Sequence, residues 1–232
     1  MRLRQDVDAF AGDNPLFDKW AEIVSAHYVE EQRRMAHFDE HGEFPHREFV
    51  DVLKDPFISA FSARHDLAPK YAWAVPSDEA LSAIIEHSPQ GVVEIGAGSG
   101  YWAWLLRERS VDVVAYDRKP YHNAQVDAKW SLVKRGGPWH SKLFPERTLF
   151  LCWPPYAHSM AFQALSYYQG QTLAYIGEGE GGCTGDDQFH SALEKEWEEI
   201  QFVGLPQWPG IHDNLVIYRR LAGIPERRKA CP

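Results

Sequence analysis

Glu94, Gly96, Gly98 and Gly100 occupy every second position of one short run, and Asp117 closes the next apolar run. A carboxylate at such a point can accept from both hydroxyls of a ribose cis-diol. Closely spaced glycines let a backbone approach a ligand. Together they point to a nucleoside site. The elements needed to position it are present: an apolar strand at 91–95, the glycine loop, a helix over 101–109 and a second strand at 111–116. This is the strand–loop–helix–strand–acid unit of a doubly wound sheet. Dinucleotide sheets place a third glycine where this chain has Tyr101. That substitution, and the absence of evident hydride-site residues, disfavours a nicotinamide oxidoreductase.

Three further segments carry candidate chemistry. The run Leu149 to Tyr156 is an apolar strand entering a stiff Trp153-Pro154-Pro155-Tyr156 turn, which could equally be a rigid strand exit. Residues 177–187 hold five glycines and four carboxylates. They suggest a mobile loop carrying Glu178 and Glu180 over a site, or a solvated turn capping the next helix. The segment 206–213 joins two strands as a hairpin and offers Trp208, His212 and Asp213. His212 suits general-base work near neutral pH, with His158 as its rival.

The remaining chain reads as supports for these groups. Asp13-Asn14-Pro15 and Asp55-Pro56 are helix starts, so 13–70 reads as helical. Ser77 caps a helix over 77–87. Strands are expected at 91–95, 111–116, 131–135, 148–152, 172–177, 200–205 and 214–219. Later helices are expected at 157–168 and 187–199, with Phe189, Leu193, Trp197 and Ile200 sharing one face. The fold class is therefore α/β: a Rossmann-like, seven-stranded, mostly parallel sheet flanked by helices, with an N-terminal helical cap. The divisions are 1–75 for the cap, 76–222 for the α/β domain and 223–232 for a tail.

Composition narrows the partners. A formal charge of −9 lacks a basic footprint and disfavours nucleic acid. Cys152, Cys183 and Cys231 are odd in number and widely spaced, with no C-x-x-C pair. That fits a reducing cytoplasm and argues against structural zinc. No apolar run marks a signal peptide or a membrane span. His27, His37, His41 and His46 are irregularly spaced and read as a solvated face, so no metal is expected. Among the nine tryptophans, Trp73, Trp102, Trp104 and Trp153 fall near the strand ends. Core packing is the default role for most of them.

The pattern acid-x-Gly-x-Gly-x-Gly, with Asp117 one βαβ step later, resembles the first motif of class I S-adenosylmethionine-dependent methyltransferases. The resemblance implies that Gly96, Ala97, Gly98 and Gly100 let the backbone meet the cofactor's amino-acid end. It implies that Glu94 is the first acid and Asp117 the ribose acid. The turn at 152–156 is similar to the fourth motif of amino-group methyltransferases, where a polar residue precedes Pro-Pro-Tyr. Trp153 stands where that polar residue would be. By this resemblance the carbonyls of Trp153 and Pro154 face the acceptor and Tyr156 lies beside it. Tyr71, Trp73, Trp102 and Cys152 join the cofactor side. The resemblance spans roughly 71–220 as a fold pattern.

The expected function is methyl transfer from S-adenosylmethionine to a small-molecule acceptor, with Trp153, Pro154, Tyr156, Glu178 and His212 as the catalytic set. The alternatives are a non-catalytic S-adenosylmethionine or nucleoside-binding module, and a protein or RNA methyltransferase. Oligomeric state is not indicated.

Overall fold

The computed structural model describes residues 13–44, 55–120 and 129–222. His46, Cys231 and the 223–232 tail lie outside the described residues. Helices α1 (Pro15–His41) and α2 (Pro56–Leu67) come first, followed by α3 (Asp78–Glu86). Then come β1 (Val92–Ile95), α4 (Tyr101–Glu108), β2 (Val113–Asp117) and β3 (Val133–Arg135). A 3₁₀ turn (Pro138–Leu143) leads to β4 (Thr148–Cys152), α5 (Met160–Tyr167) and β5 (Thr172–Gly177). The chain closes with α6 (Asp187–Glu196), β6 (Trp197–Gly204) and β7 (Asn214–Arg220).

The seven strands lie in the order β3-β2-β1-β4-β5-β7-β6. The first five pair in parallel, and β7 runs antiparallel to both β5 and β6. The order reverses between β1 and β4, which is where a doubly wound sheet opens a crevice beyond its carboxyl ends.

Side chains of each strand alternate between two cores, as a pleated sheet demands. Val92 and Phe150 face the core built by α1, α3 and α4; Val93 and Leu149 face the one built by α5 and α6. The N-terminal helices share the first core through Leu16, Trp20, Val24 and Ala60.

Helix starts follow the expected caps. Asn14, Asp55, Ser77 and Asp186 each accept a backbone N–H of the first turn with their side chains, satisfying groups the helix itself cannot. Two boundaries differ from expectation. The fifth helix begins at Met160 rather than 157, because Trp153 and Ala157 adopt φ of 51° and 50° and turn the chain. The last helix ends at Glu196, so Trp197 and Ile200 belong to β6. Trp197 is still buried, because its core is the same one Phe189 and Leu193 reach. His27 is also buried, packed against Phe57, rather than part of a solvated face.

Candidate functional site

A cleft of about 700 Å³ opens at the carboxyl ends of β1, β2 and β4. This lies within the range of small-molecule and cofactor sites. Its walls include Glu94, Gly96, Ala97, Gly98, Asp117 and Cys152. Tyr71, Trp73, Trp102 and Trp153 also line it. The strand–loop–helix unit gathers these because the glycine loop is clamped to the end of β2. The amides of Gly96 and Ala97 both donate to the Tyr116 carbonyl, at 2.8 and 3.1 Å. The Gly98 amide donates to Asp117 at 3.1 Å, and Lys119 N–H reaches the other carboxylate oxygen at 2.7 Å.

Two glycines are demanded by geometry. Gly98 has φ of +53° and nothing within 4 Å of where a Cβ would stand, so it leaves an open cradle. Gly100 has φ of +81° and caps α4 without lining the cleft. A Cβ there would meet Val133 at 2.9 Å and the Ser131 carbonyl at 3.1 Å. Its role is close packing, not ligand approach.

Glu94 is fully buried and its Oε2 has no hydrogen-bond partner. Burial lifts its carboxyl to about 8; Arg107 opposes this and Asp117 adds to it. A buried, unpartnered carboxylate oxygen in a cleft wall is suited to a donor or cation brought by a ligand. Cys152 lies nearby, and burial, reinforced by Glu94 and Asp213, pushes its thiol well up. It is a packing residue, not a nucleophile.

The turn after β4 departs from what the resemblance implies. Trp153 does line the cleft, and its indole N–H donates to Asp213 at 2.8 Å. The Pro154 carbonyl, however, accepts from the Gly185 amide at 3.1 Å, and Pro154 is buried and absent from the cleft walls. Tyr156 is 68% exposed and stands away from the cleft. Pro155 and His158 occupy the rim instead. His158 Nδ1 accepts from the Met160 amide at 3.1 Å, which fixes the tautomer with the proton on Nε2.

The glycine-rich loop is cross-braced rather than mobile. Thr184 is buried, its hydroxyl bonded to Tyr175 and to both backbone groups of Glu178. The Glu178 carboxylate accepts from the amides of Cys183 at 2.7 Å and His212 at 2.9 Å. Burial pushes this carboxyl up, but those two amides, with the Cys183 side chain and the nearby His212, together hold it below its ordinary range. Glu178 therefore ties two loops together and does not line the cleft, while Glu180 is exposed. His212 also lies outside, its side chain 80% exposed and 3.8 Å from Glu178. Trp208 is buried in the core. Asp213 is buried beneath Trp153, with Oδ1 unpartnered and its carboxyl lifted by burial to about 6.

Sequence reasoning missed Arg64, Trp130, Met160 and Gly136. Met160 and Gly136 line the cleft from α5 and the β3 exit. Trp130 packs on Tyr71, Tyr101 and Trp104 and donates its indole N–H to the Lys70 carbonyl, holding the Tyr71 segment in place. None carries a motif; each is brought in by the fold alone. Among the described residues no cluster of three metal-ligating side chains exists, and no helix is long and apolar enough to cross a membrane.

No family model and no curated protein sequence matches the chain. Solved structures do. The magnesium protoporphyrin IX methyltransferase of Synechocystis, with S-adenosylmethionine bound, is 10% identical with a TM-score of 0.47, over 82% of this chain and 96% of that one. The 1,6-didemethyltoxoflavin N1-methyltransferase of Burkholderia thailandensis, with S-adenosylhomocysteine, is 14% identical with a TM-score of 0.45, over 77% and 92%. A TehB-like S-adenosylmethionine-dependent methyltransferase of Corynebacterium glutamicum is 15% identical with a TM-score of 0.42, over 71% and 98%. The sheet order by itself establishes the Rossmann-like architecture.

Proposed function

We propose that the cleft binds S-adenosylmethionine and that the protein transfers its methyl group to a small molecule. The observation that carries this reading is the pairing of two acids across one glycine loop. Glu94 offers an unpartnered oxygen at the end of β1, and Asp117 stands at the end of β2 in the same cleft. The first suits the cofactor's ammonium group and the second its ribose hydroxyls. The cofactor supplies an electrophilic methyl group on a sulfonium. The chain supplies a walled cleft, with Trp73, Trp102 and Trp153 limiting water and favouring dispersal of positive charge. Methyl transfer needs in-line positioning more than a strong base, and positioning can supply several kcal/mol.

Titration calorimetry with S-adenosylmethionine and S-adenosylhomocysteine tests the binding half. Micromolar heat with the wild type and weakening of about tenfold or more in Asp117→Asn are expected. A second reading has its own support: with Trp153 in place of a polar acceptor and the Pro154 carbonyl committed to the Gly185 amide, the turn offers little to hold an amine. On that reading the protein binds the nucleoside without transferring from it. Mass spectrometry of a metabolite panel incubated with protein and cofactor separates the two, since only transfer adds a methyl mass.

A further inference from the structure

We infer that Arg64 is a carboxylate receptor beside this cleft, holding the acid group of the methyl acceptor; the acceptor's part in this rests on the methyl-transfer reading above. Arg64 lies in the last turn of α2 and is 4% exposed. Its guanidinium carbon sits 4.2 Å from the ring centre of Trp153 and 4.9 Å from that of Trp73. Those two indoles lie 6.1 Å apart, and both line the cleft. The cation is thus seated behind an aromatic wall of the site.

Its hydrogen bonding is incomplete. Nε and Nη2 are buried and have no partner. These two nitrogens form one edge of the guanidinium, the edge that takes both oxygens of a carboxylate side by side. Buried donors without a protein partner are costly, so a carboxylate that reaches this edge is held by two charge-assisted bonds. Asp213 does not fill this place. It acts on Arg64 only at longer range, and its own Oδ1 is also unpartnered.

Arg64 stands at the β4 exit, against Trp153. The groups acting on its charge are Asp213, Glu178, Cys152 and Cys183, all from the β4, β5 and β7 ends of the sheet. The class of acceptor is accordingly a carboxylic acid, for which benzoate is the probe.

Because the cofactor also carries a carboxylate, the test has separate arms. The full chain, saturated with S-adenosylhomocysteine, is titrated calorimetrically with benzoate and with benzamide. Benzoate should bind at least about tenfold more tightly, the margin of one charge-assisted pair, and Arg64→Gln should abolish that margin. The same variant should bind S-adenosylhomocysteine and 5′-methylthioadenosine, which lacks the amino-acid end, as the wild type does. Binding of the latter also reports that the variant is folded. Equal binding of benzoate and benzamide by the wild type overturns the inference without need of any variant. A benzoate margin that survives Arg64→Gln also overturns it. So does loss of S-adenosylhomocysteine with 5′-methylthioadenosine unaffected, which assigns Arg64 to the cofactor's own carboxylate. A wild type that binds neither nucleoside but keeps the Arg64-dependent benzoate margin, measured without the nucleoside, leaves the carboxylate site standing and removes only the methyl-transfer reading.

Discussion

The indole of Trp153 donates to the buried Asp213 carboxylate at 2.8 Å, joining the exit of β4 to the entrance of β7 across sixty positions of sequence. Trp153 holds φ of 51°, a left-handed conformation costly for a bulky residue. Its amide donates to Ile176 at 2.8 Å. The two bonds fix the ring that walls the cleft. Trp153→Phe keeps most of the packing and removes the indole donor, leaving both Asp213 oxygens without a side-chain donor. We expect a loss of about 1–3 kcal/mol in urea unfolding. A loss too small to resolve would show the bond to be incidental.

Glu94 sets a pH dependence. The unfolded carboxyl titrates near 4.5 and the folded one near 8. Between those values the folded chain keeps a proton that the unfolded chain has released, so the contribution of Glu94 to stability is greatest below about 4.5 and falls as pH rises towards 8. Glu94→Gln should flatten this slope and melt above the wild type at pH 8. A bound cation favours the carboxylate form, so S-adenosylhomocysteine should release a proton on binding near neutral pH. Calorimetry in two buffers of different ionisation enthalpy reads that proton, and Glu94→Gln should release none.

Glu178 predicts the opposite slope. Its folded carboxyl is held below the ordinary range by the Cys183 and His212 amides. Its contribution is present above the unfolded value and is lost as pH falls through the folded one. Glu178→Ala should cost about 1–3 kcal/mol at neutral pH, with a shrinking difference from wild type in acid. Affinity for S-adenosylhomocysteine should not change, because the residue braces loops outside the cleft. A variant of normal stability that lost affinity would return Glu178 to the site.

Tyr101 fastens the N-terminal helix to the glycine-loop unit. Its hydroxyl donates to Asn14 at 2.6 Å and accepts the Leu16 amide at 3.0 Å, while the Asn14 amide group reaches the Pro76 carbonyl at 3.1 Å. All three residues with side chains or amides in this knot are buried. Tyr101→Phe should cost about 1–3 kcal/mol in unfolding free energy. Early amide exchange confined to α1 would locate the loss there.

Much of this was readable in the chain because it is local. Caps at Asn14, Asp55, Ser77 and Asp186 are decided by a few neighbouring residues. The glycine loop and its acids sit on one βαβ unit. The strand alternation gave the sheet its class. What escaped depended on distant contacts. Glu178 looked like a mobile acid, but its oxygens are claimed by amides at 183 and 212. Pro154 and Tyr156 matched a motif by position, yet Trp153 in place of a polar residue reorganises the turn around Asp213. Arg64 sits in an unremarkable helix, and only the fold carries it to Trp73 and Trp153.

The central claim is tested most directly by calorimetric titration of wild type and Asp117→Asn with S-adenosylhomocysteine. Asparagine has one acceptor oxygen, so it keeps one of the Gly98 and Lys119 amide bonds while the charge in the cleft is lost; an unchanged melting temperature shows that the loop is retained. Saturable binding by the wild type, with affinity about tenfold or more weaker in the variant, is the predicted result. No heat with the wild type, or equal affinity in both proteins, would contradict the account.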